Sequence, residues 1–143
     1  MTLVATTEAS ASARLGDVVG RLVRMLRRAH VSPLGASSMS ALATVVRQGP
    51  IRLGELAERE GVTPATLSRI VTALEREGFT RRRTDPADRR AAFLSATASG
   101  QAAVEELLAA RGAVLAARMA SLTARDLATL AAGLDVIDRL IAD

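Results

Sequence analysis

The most prominent group of side chains with possible binding chemistry is a run of arginines that follows residue 80. A guanidinium group presents a fork of N–H donors that matches phosphate oxygens and the edge of guanine. Five arginines and two aspartates within residues 79–93 give a local charge of five minus two, or +3. They are Arg81, Arg82, Arg83, Arg89, Arg90, Asp85 and Asp88. A charged segment of this kind is often only a solvated loop, but this density of arginine suits contacts with a nucleic-acid backbone or minor groove.

A second set of polar residues lies on one face of a helix predicted over Pro64–Glu77. The residues opposite its apolar side are short, polar or basic, so nothing bulky blocks a DNA groove. Arg69 lies one turn past the start of this helix, where a recognition helix reaches base edges. The predicted DNA-contacting residues of the helix are Thr63, Pro64, Ala65, Thr66, Ser68, Arg69 and Thr72.

The pattern of the elements that position these side chains predicts a helix-turn-helix. A first helix is predicted over Gly54–Glu60, and Gly61 supplies the positive φ that the following turn needs. Thr63 is placed to cap the second helix, and Pro64 is placed to begin it. An ordinary helical hairpin explains this pattern about equally well, so the next segment decides between the two.

After the second helix, the hydrophobic period changes from that of a helix to that of a strand. Phe79–Thr84 and Ala91–Ala96 predict two short strands joined by a loop over 85–90, and Ile51–Leu53 predicts a short extended piece. A hairpin in this place makes the motif a winged helix-turn-helix. The predicted DNA-contacting residues of the wing are Arg82, Arg83, Asp88, Arg89 and Arg90.

The remaining segments are predicted to be helical. A frayed end over Met1–Ser12 precedes a helix from Ala13, and further helices are predicted over Ala36–Gln48, Ala98–Ser121 and Ala124–Ala142. The terminal helices carry more apolar surface than a winged module of about 60 residues covers, which favours dimerisation. The alternative is that they form a bundle within one chain.

These patterns define the fold class as mainly α with a small β-wing, a winged helix-turn-helix with N- and C-terminal dimerisation helices. We divide the chain into three parts that together form one domain. Residues 1–35 form an N-terminal arm and dimerisation helix, residues 36–96 the DNA-binding module, and residues 97–143 the C-terminal dimerisation helices.

The composition excludes several other classes of protein and several kinds of site. The 143 residues include no cysteine and one histidine, so disulfides, zinc fingers and multi-histidine metal sites are excluded. No nucleophile–base pair or glycine-rich phosphate loop occurs, and we predict neither an enzyme nor a cofactor. With no signal peptide and no apolar run of about 20 residues, we expect a cytoplasmic protein without a membrane partner.

The charge balance favours an anionic partner. All 19 basic residues are arginine, and the net charge is +4. Nucleic acid is the first candidate for such a partner, and an anionic membrane surface is the second. A coding bias toward GC-rich codons also replaces lysine with arginine, so the arginine content by itself carries little weight.

The run Gly78–Arg90, followed by Thr97–Gly100, resembles the signature of the MarR family of transcriptional regulators. The resemblance covers about residues 13–143, including the order of the helices. It implies a triangular homodimer on a palindromic operator, with the carboxylate of Asp88 orienting Arg90 for the minor groove. It further implies release from DNA by a small aromatic or lipophilic effector, although Phe79 and Phe93 are the only aromatic residues available to such a pocket.

The sequence therefore predicts a sequence-specific regulator that binds double-stranded DNA as a homodimer, and specifically a repressor. Two alternatives remain at this point. The first is an architectural protein that binds DNA without sequence preference, which a specificity ratio distinguishes. The second is a winged-helix adaptor for protein partners, which would not need so many arginines in its wing.

Overall fold

The computed structural model describes residues 2–29, 32–84 and 92–142. The helices in this part of the chain are α1 (Thr2–Ala29), α2 (Gly35–Gln48), α3 (Leu53–Arg59), α4 (Pro64–Arg76), α5 (Ala98–Met119) and α6 (Ala124–Ile141). The strands are β1 (Ile51–Arg52), β2 (Thr80–Thr84) and β3 (Ala92–Ala96). The predicted fold class, mainly α with a small β-wing, is confirmed.

The first helix is longer than its apolar pattern predicts. The prediction of a frayed end over Met1–Ser12 is wrong, because α1 begins at Thr2. No glycine or proline precedes Gly16, so no residue before Ala13 breaks the helical backbone. The apolar stripe that starts near Ala13 marks where packing begins, and the helix itself extends further.

The other predicted helices agree with the structure to within two residues at each end, as expected where caps and fraying set the boundary. Thr63 caps α4 as predicted, and Gly61 has a φ of 62°. Thr123 and Asp126 form a capping box at α6, and the hydrogen bonds from Thr123 lower the pKa of Asp126 from its usual value. Of the predicted wing, Ala91 and the loop over 85–90 lie outside the described residues.

The sheet contains one strand more than the predicted hairpin. The short extended piece over Ile51–Leu53 contributes β1, and the antiparallel order is β1–β3–β2. Ile51 and Arg82 both pair with Leu94 in the register, whereas Arg52 and Arg83 both pair with Phe93. Because side chains alternate along a strand, Arg82 lies on the core face of the sheet and Arg83 on the opposite face.

Two groups of buried side chains hold the winged helix-turn-helix together. One joins α2, α4 and α5 through Met39, Ala41, Leu42, Ile70, Leu74, Val104 and Leu107. The other joins α2, α3, α4 and the sheet through Val45, Ile51, Leu56, Ala57, Leu67, Val71 and Leu94. The first half of α5 therefore belongs to the packed body that supports α4.

The C-terminal helix α6 is not part of this packed body, because none of its residues is buried. Leu140 is 67% exposed and Ile141 is 68% exposed, and Leu134 is exposed as well. A bundle that buries these residues within one chain, the alternative left by the sequence, is not formed. Among the helices that the structure describes, none combines the length and the apolar character needed to cross a membrane.

Candidate nucleic-acid interface

The outward face of α4 is built by the division between its apolar and polar positions. Leu67, Ile70, Val71 and Leu74 are buried against α2 and α3. The predicted contact residues lie on the other side, all exposed except Thr66, which is half-buried. No carboxylate occurs in α4 before Glu75, so the exposed face offers no negative charge to an approaching phosphate.

The N-terminus of α4 is ordered by two threonines. Thr63 Oγ1 accepts a hydrogen bond from the Thr66 backbone N–H at 3.3 Å and donates one to Thr66 Oγ1 at 3.0 Å. Both hydroxyl groups are thus used within the cap, and Pro64 at the first helical position has no N–H. The positive end of the helix dipole faces solvent here, as a helix that meets a phosphate requires.

The middle of the exposed α4 face carries Ser68, Arg69 and Thr72. The Thr72 hydroxyl donates to the Ser68 carbonyl at 2.8 Å, which leaves its methyl group and oxygen lone pairs for a partner. Arg69 is exposed and has no hydrogen-bond or ion-pair partner in the described part of the chain. Arg69 is therefore the side chain of α4 best able to donate to a base edge.

The wing arginines do not all share one environment. Arg81, Arg82 and Arg83 are all exposed, and Arg82 in addition forms a salt bridge to Glu75 on α4 with an Nη2–Oε2 distance of 3.2 Å. Arg82 thus contacts the recognition helix, a contact that the sequence pattern does not indicate. The predicted residues Asp88, Arg89 and Arg90 lie outside the described residues.

One further arginine at the sheet was missed by sequence reasoning. The Arg52 guanidinium carbon lies 5.3 Å from the centroid of the Phe93 ring, a cation–π distance. Arg83 is the cross-strand neighbour of Phe93 on the same face. Only the pairing of β1 with β3 brings Arg52 to this face, and a two-residue strand leaves almost no periodic signal in a sequence.

A cavity of about 280 Å³ lies behind the interface, between α1, α2 and α5. Val23, Leu26, Met39 and Leu107 supply apolar wall. Three arginines also line it, and no carboxylate of the described chain does. Elsewhere in the described residues, no cluster of three histidine, cysteine, aspartate or glutamate side chains forms a metal site.

A recognition helix with an acid-free face, set beside a three-stranded wing rich in arginine, defines a winged helix-turn-helix DNA-binding protein. A family model for the MarR family matches residues 34–92 of this chain. An HTH-type transcriptional regulator of Mycobacterium bovis is 34% identical over 94% of this chain and 95% of its own length. The chain belongs to the MarR family of DNA-binding transcriptional regulators.

Two other relatives agree with this assignment. The crystal structure of a putative transcriptional regulator from Pseudomonas aeruginosa has a TM-score of 0.84 and 29% identity, covering 96% of this chain and 97% of its own. The transcriptional repressor MdtR of Bacillus subtilis is 26% identical over 87% of this chain and 79% of its own length. The prediction that the protein is not an enzyme is confirmed, since these relatives are transcriptional regulators.

Proposed function

We propose that the protein is a homodimeric repressor that binds a palindromic operator, with α4 of each protomer in a major groove. The observation that carries this proposal is the outward face of α4, which has no carboxylate before Glu75 and presents Arg69, a side chain without a partner among the described residues. The arginine-rich wing follows directly after α4 in the chain. A flanking basic wing supplies phosphate contacts that fix the register of the helix on the duplex.

Within this proposal each predicted side chain has a role. Arg69 reads a base edge, and Ser68 and Thr72 line the same groove. The α4 residues that approach the adjacent backbone are Thr63, Pro64, Ala65 and Thr66. In the wing, Arg82, Arg83 and Arg89 hold phosphates, and Arg90 enters the minor groove with Asp88 as its orienting carboxylate.

The dimer is supported by the apolar side chains that one protomer leaves exposed. On α1 they include Val18, Val19, Leu22 and Val23, and on α6 they include Leu127, Leu130, Leu134, Val136, Leu140 and Ile141. Apolar faces of this extent are typical of obligate interfaces. We therefore assign residues 1–35 and 97–143 to dimerisation and residues 36–96 to DNA binding, with the first half of α5 shared by both.

Repression and its relief are the remaining parts of the proposal. The relative MdtR is named as a repressor, and a repressor needs only to occupy DNA that other proteins must reach. The cavity between α1, α2 and α5 lies between the dimerisation helices and the DNA-binding module, where an effector would act on both. The cytoplasmic location expected from the sequence follows here from the DNA partner.

Selection of bound duplexes from a random pool, at a stated salt concentration, tests the proposal. We expect an inverted repeat whose half-sites are one helical turn, about 10 base pairs, apart or a multiple of that. Enrichment of no sequence would favour the architectural alternative. The absence of any DNA binding would favour the adaptor.

A further inference from the structure

A buried hydroxyl on α2 holds the end of α3 at the point where the helix-turn-helix turns. Thr44 is 5% exposed, and its Oγ1 lies 2.6 Å from Glu60 Oε1. A carboxylate has no proton to give, so the Thr44 hydroxyl is the donor of this hydrogen bond. Arg47 Nη2, one turn further along α2, donates to the same hydroxyl oxygen at 3.4 Å. The hydroxyl therefore accepts from Arg47 and donates to Glu60.

Thr44 is held in place because α2 packs on several sides at once. Leu42 and Val45, its neighbours on α2, belong to the two different groups of buried side chains described above. The same helix contacts α4, α5 and β3. Glu60, by contrast, ends the seven-residue helix α3. The hydrogen bond thus joins a fixed point of the packed body to the end of a short helix.

Glu60 leads directly into the turn that determines where α4 begins. It is the C-terminal cap of α3, and Gly61 follows it with a φ of 62°. The Val62 N–H bonds back to α3 at 3.0 Å, and Thr63 is already the cap of α4. Because only residues 61–63 separate Glu60 from α4, a displacement of Glu60 is passed on to the N-terminus of that helix.

A carboxylate at this end of α3 needs a partner. The C-terminal end of a helix carries the negative end of its dipole, which disfavours a negative side chain there. Glu60 is also half-buried, so part of its charge is removed from water. The Thr44 hydroxyl offsets both costs with a short hydrogen bond to a charged group, which is stronger than a bond between neutral groups. Without this bond, the Glu60 side chain is better solvated when it turns outward, and the turn moves with it.

We propose that Thr44 is a positioning residue for sequence-specific DNA binding, because its hydrogen bond to Glu60 fixes where α4 begins. This inference rests on the proposed function and extends it by naming a buried residue that acts on specificity. Base contacts require α4 in one register, whereas phosphate contacts carry no sequence information and are less directional. Loss of the bond should therefore weaken binding to the operator more than binding to a shuffled duplex.

The test uses the full chain, the operator obtained from the selection, and a shuffled duplex of the same composition. Fluorescence anisotropy gives the ratio of the two affinities. Thr44→Val keeps the branched shape and removes the hydroxyl, and we expect the ratio to fall by about tenfold, the size of one hydrogen bond to a charged group. Thr44→Ser keeps the hydroxyl and should keep the ratio. If Thr44→Val fails to fold, Glu60→Ala removes the same bond from its half-buried side and should also lower the ratio.

A paired replacement separates positioning from stability. Thr44→Val combined with Glu60→Leu makes both partners apolar, so no polar group is left without its partner, a change that can be nearly neutral for stability. The free energy of unfolding, measured with denaturant, should recover relative to Thr44→Val alone. The ratio should stay low, because no hydrogen bond then holds the turn.

A matched control and a local probe complete the design. Thr129→Val makes the same change at an exposed hydroxyl that donates within its own helix, to the Arg125 carbonyl at 2.9 Å, and should keep the ratio. In Thr44→Val, hydrogen exchange at the amides of Gly61 and Val62, which bond back to α3, should speed up by a larger factor than at the Phe79 amide, which bonds to α4. Equal acceleration at all three amides would indicate a general loss of stability and would contradict the inference.

Two further results would overturn the inference. One is a wild-type ratio in Thr44→Val, and the other is a ratio that recovers together with stability in the paired replacement. A ratio near one in the wild type would contradict the proposed function itself. With the wild-type preference intact, either of the two results contradicts only the positioning role of Thr44.

Discussion

Arg82 on β2 and Glu75 in the last turns of α4 are joined by a salt bridge of 3.2 Å. The contact exists because Arg82 pairs in register with Leu94 and so lies on the core face of the sheet. Its neighbours Arg81 and Arg83 lie on the opposite face. The salt bridge joins the base of the wing to α4, the two elements that we propose contact DNA, and we expect it to help fix the angle between them.

We expect Glu75→Gln to weaken DNA binding although it removes a negative charge near DNA. Simple electrostatics predicts the opposite, while positioning of the wing predicts a loss of about 0.2–1 kcal/mol, as for other exposed ion pairs. Arg82→Gln should also weaken binding, because it removes both the ion pair and the proposed phosphate contact of Arg82, and the double variant should lose less than the sum. Tighter binding by Glu75→Gln, measured by anisotropy, would show that the pair does not position the wing.

Gly100→Ala should destabilise the fold at the junction between the wing and α5. A Cβ at Gly100 would overlap the Phe79 carbonyl oxygen and approach Leu42 Cδ1 to 3.3 Å. Overpacking of this kind costs about 1–3 kcal/mol, which denaturant unfolding measures. Gly112→Ala is the control on the same helix, since a Cβ there meets no atom within 4 Å. It should be neutral or stabilise by up to about 1 kcal/mol; equal effects would contradict this reason.

Asp88 and Arg90, which lie outside the described residues, are predicted to act as a coupled pair on DNA. The prediction is that the Asp88 carboxylate holds the Arg90 guanidinium in place, which reduces the side-chain entropy that Arg90 loses on entering the minor groove by about 2 kcal/mol at most. Asp88→Ala and Arg90→Ala should each weaken binding, with a double variant that loses less than the sum. Strictly additive losses, or tighter binding by Asp88→Ala, would mean that these loop charges are only solvated.

Removal of residues 124–143 should abolish dimerisation and folding together. The apolar residues of α6 are exposed in one protomer, and the same holds for Val18, Val19 and Leu22 on α1. Without a partner helix these faces stay in water, and the chain should aggregate or unfold. Sedimentation and circular dichroism check this result. A truncated chain that stays folded as a monomer and binds DNA normally would contradict it.

Local chemistry made much of the fold predictable. Thr63, Pro64 and Gly61 are each of a residue type that is favoured at its backbone position, so the turn and the start of α4 can be predicted from the sequence. The change of period after Gly78 likewise predicts the wing. The beginning of α1 was not predictable from apolar spacing, because residues 2–12 form helix without an apolar stripe.

The contacts that depend on tertiary register could not be predicted. Glu75 reaches Arg82 only because α4 and β2 meet across a tight turn, and Arg52 reaches Phe93 only because β1 adds to the sheet. The hydrogen bond from Thr44 on α2 to Glu60 at the C-terminal end of α3 joins residues 16 apart in the chain. Neither residue type nor local spacing specifies which face of a helix meets its neighbour.

The most direct test of the central claim compares affinity for the selected operator with affinity for a shuffled duplex, from about 50 to 200 mM salt. Two winged modules with about 6–10 phosphate contacts should lose about 10³–10⁵ in affinity over that range, on both duplexes. The operator should be preferred by about 10³-fold or more, and Arg69→Ala should remove roughly 1–3 kcal/mol of that preference. Arg76→Ala, on the same helix but two turns further along, should leave the ratio unchanged. A flat salt response, or a ratio near one in the wild type, would contradict sequence-specific binding through α4.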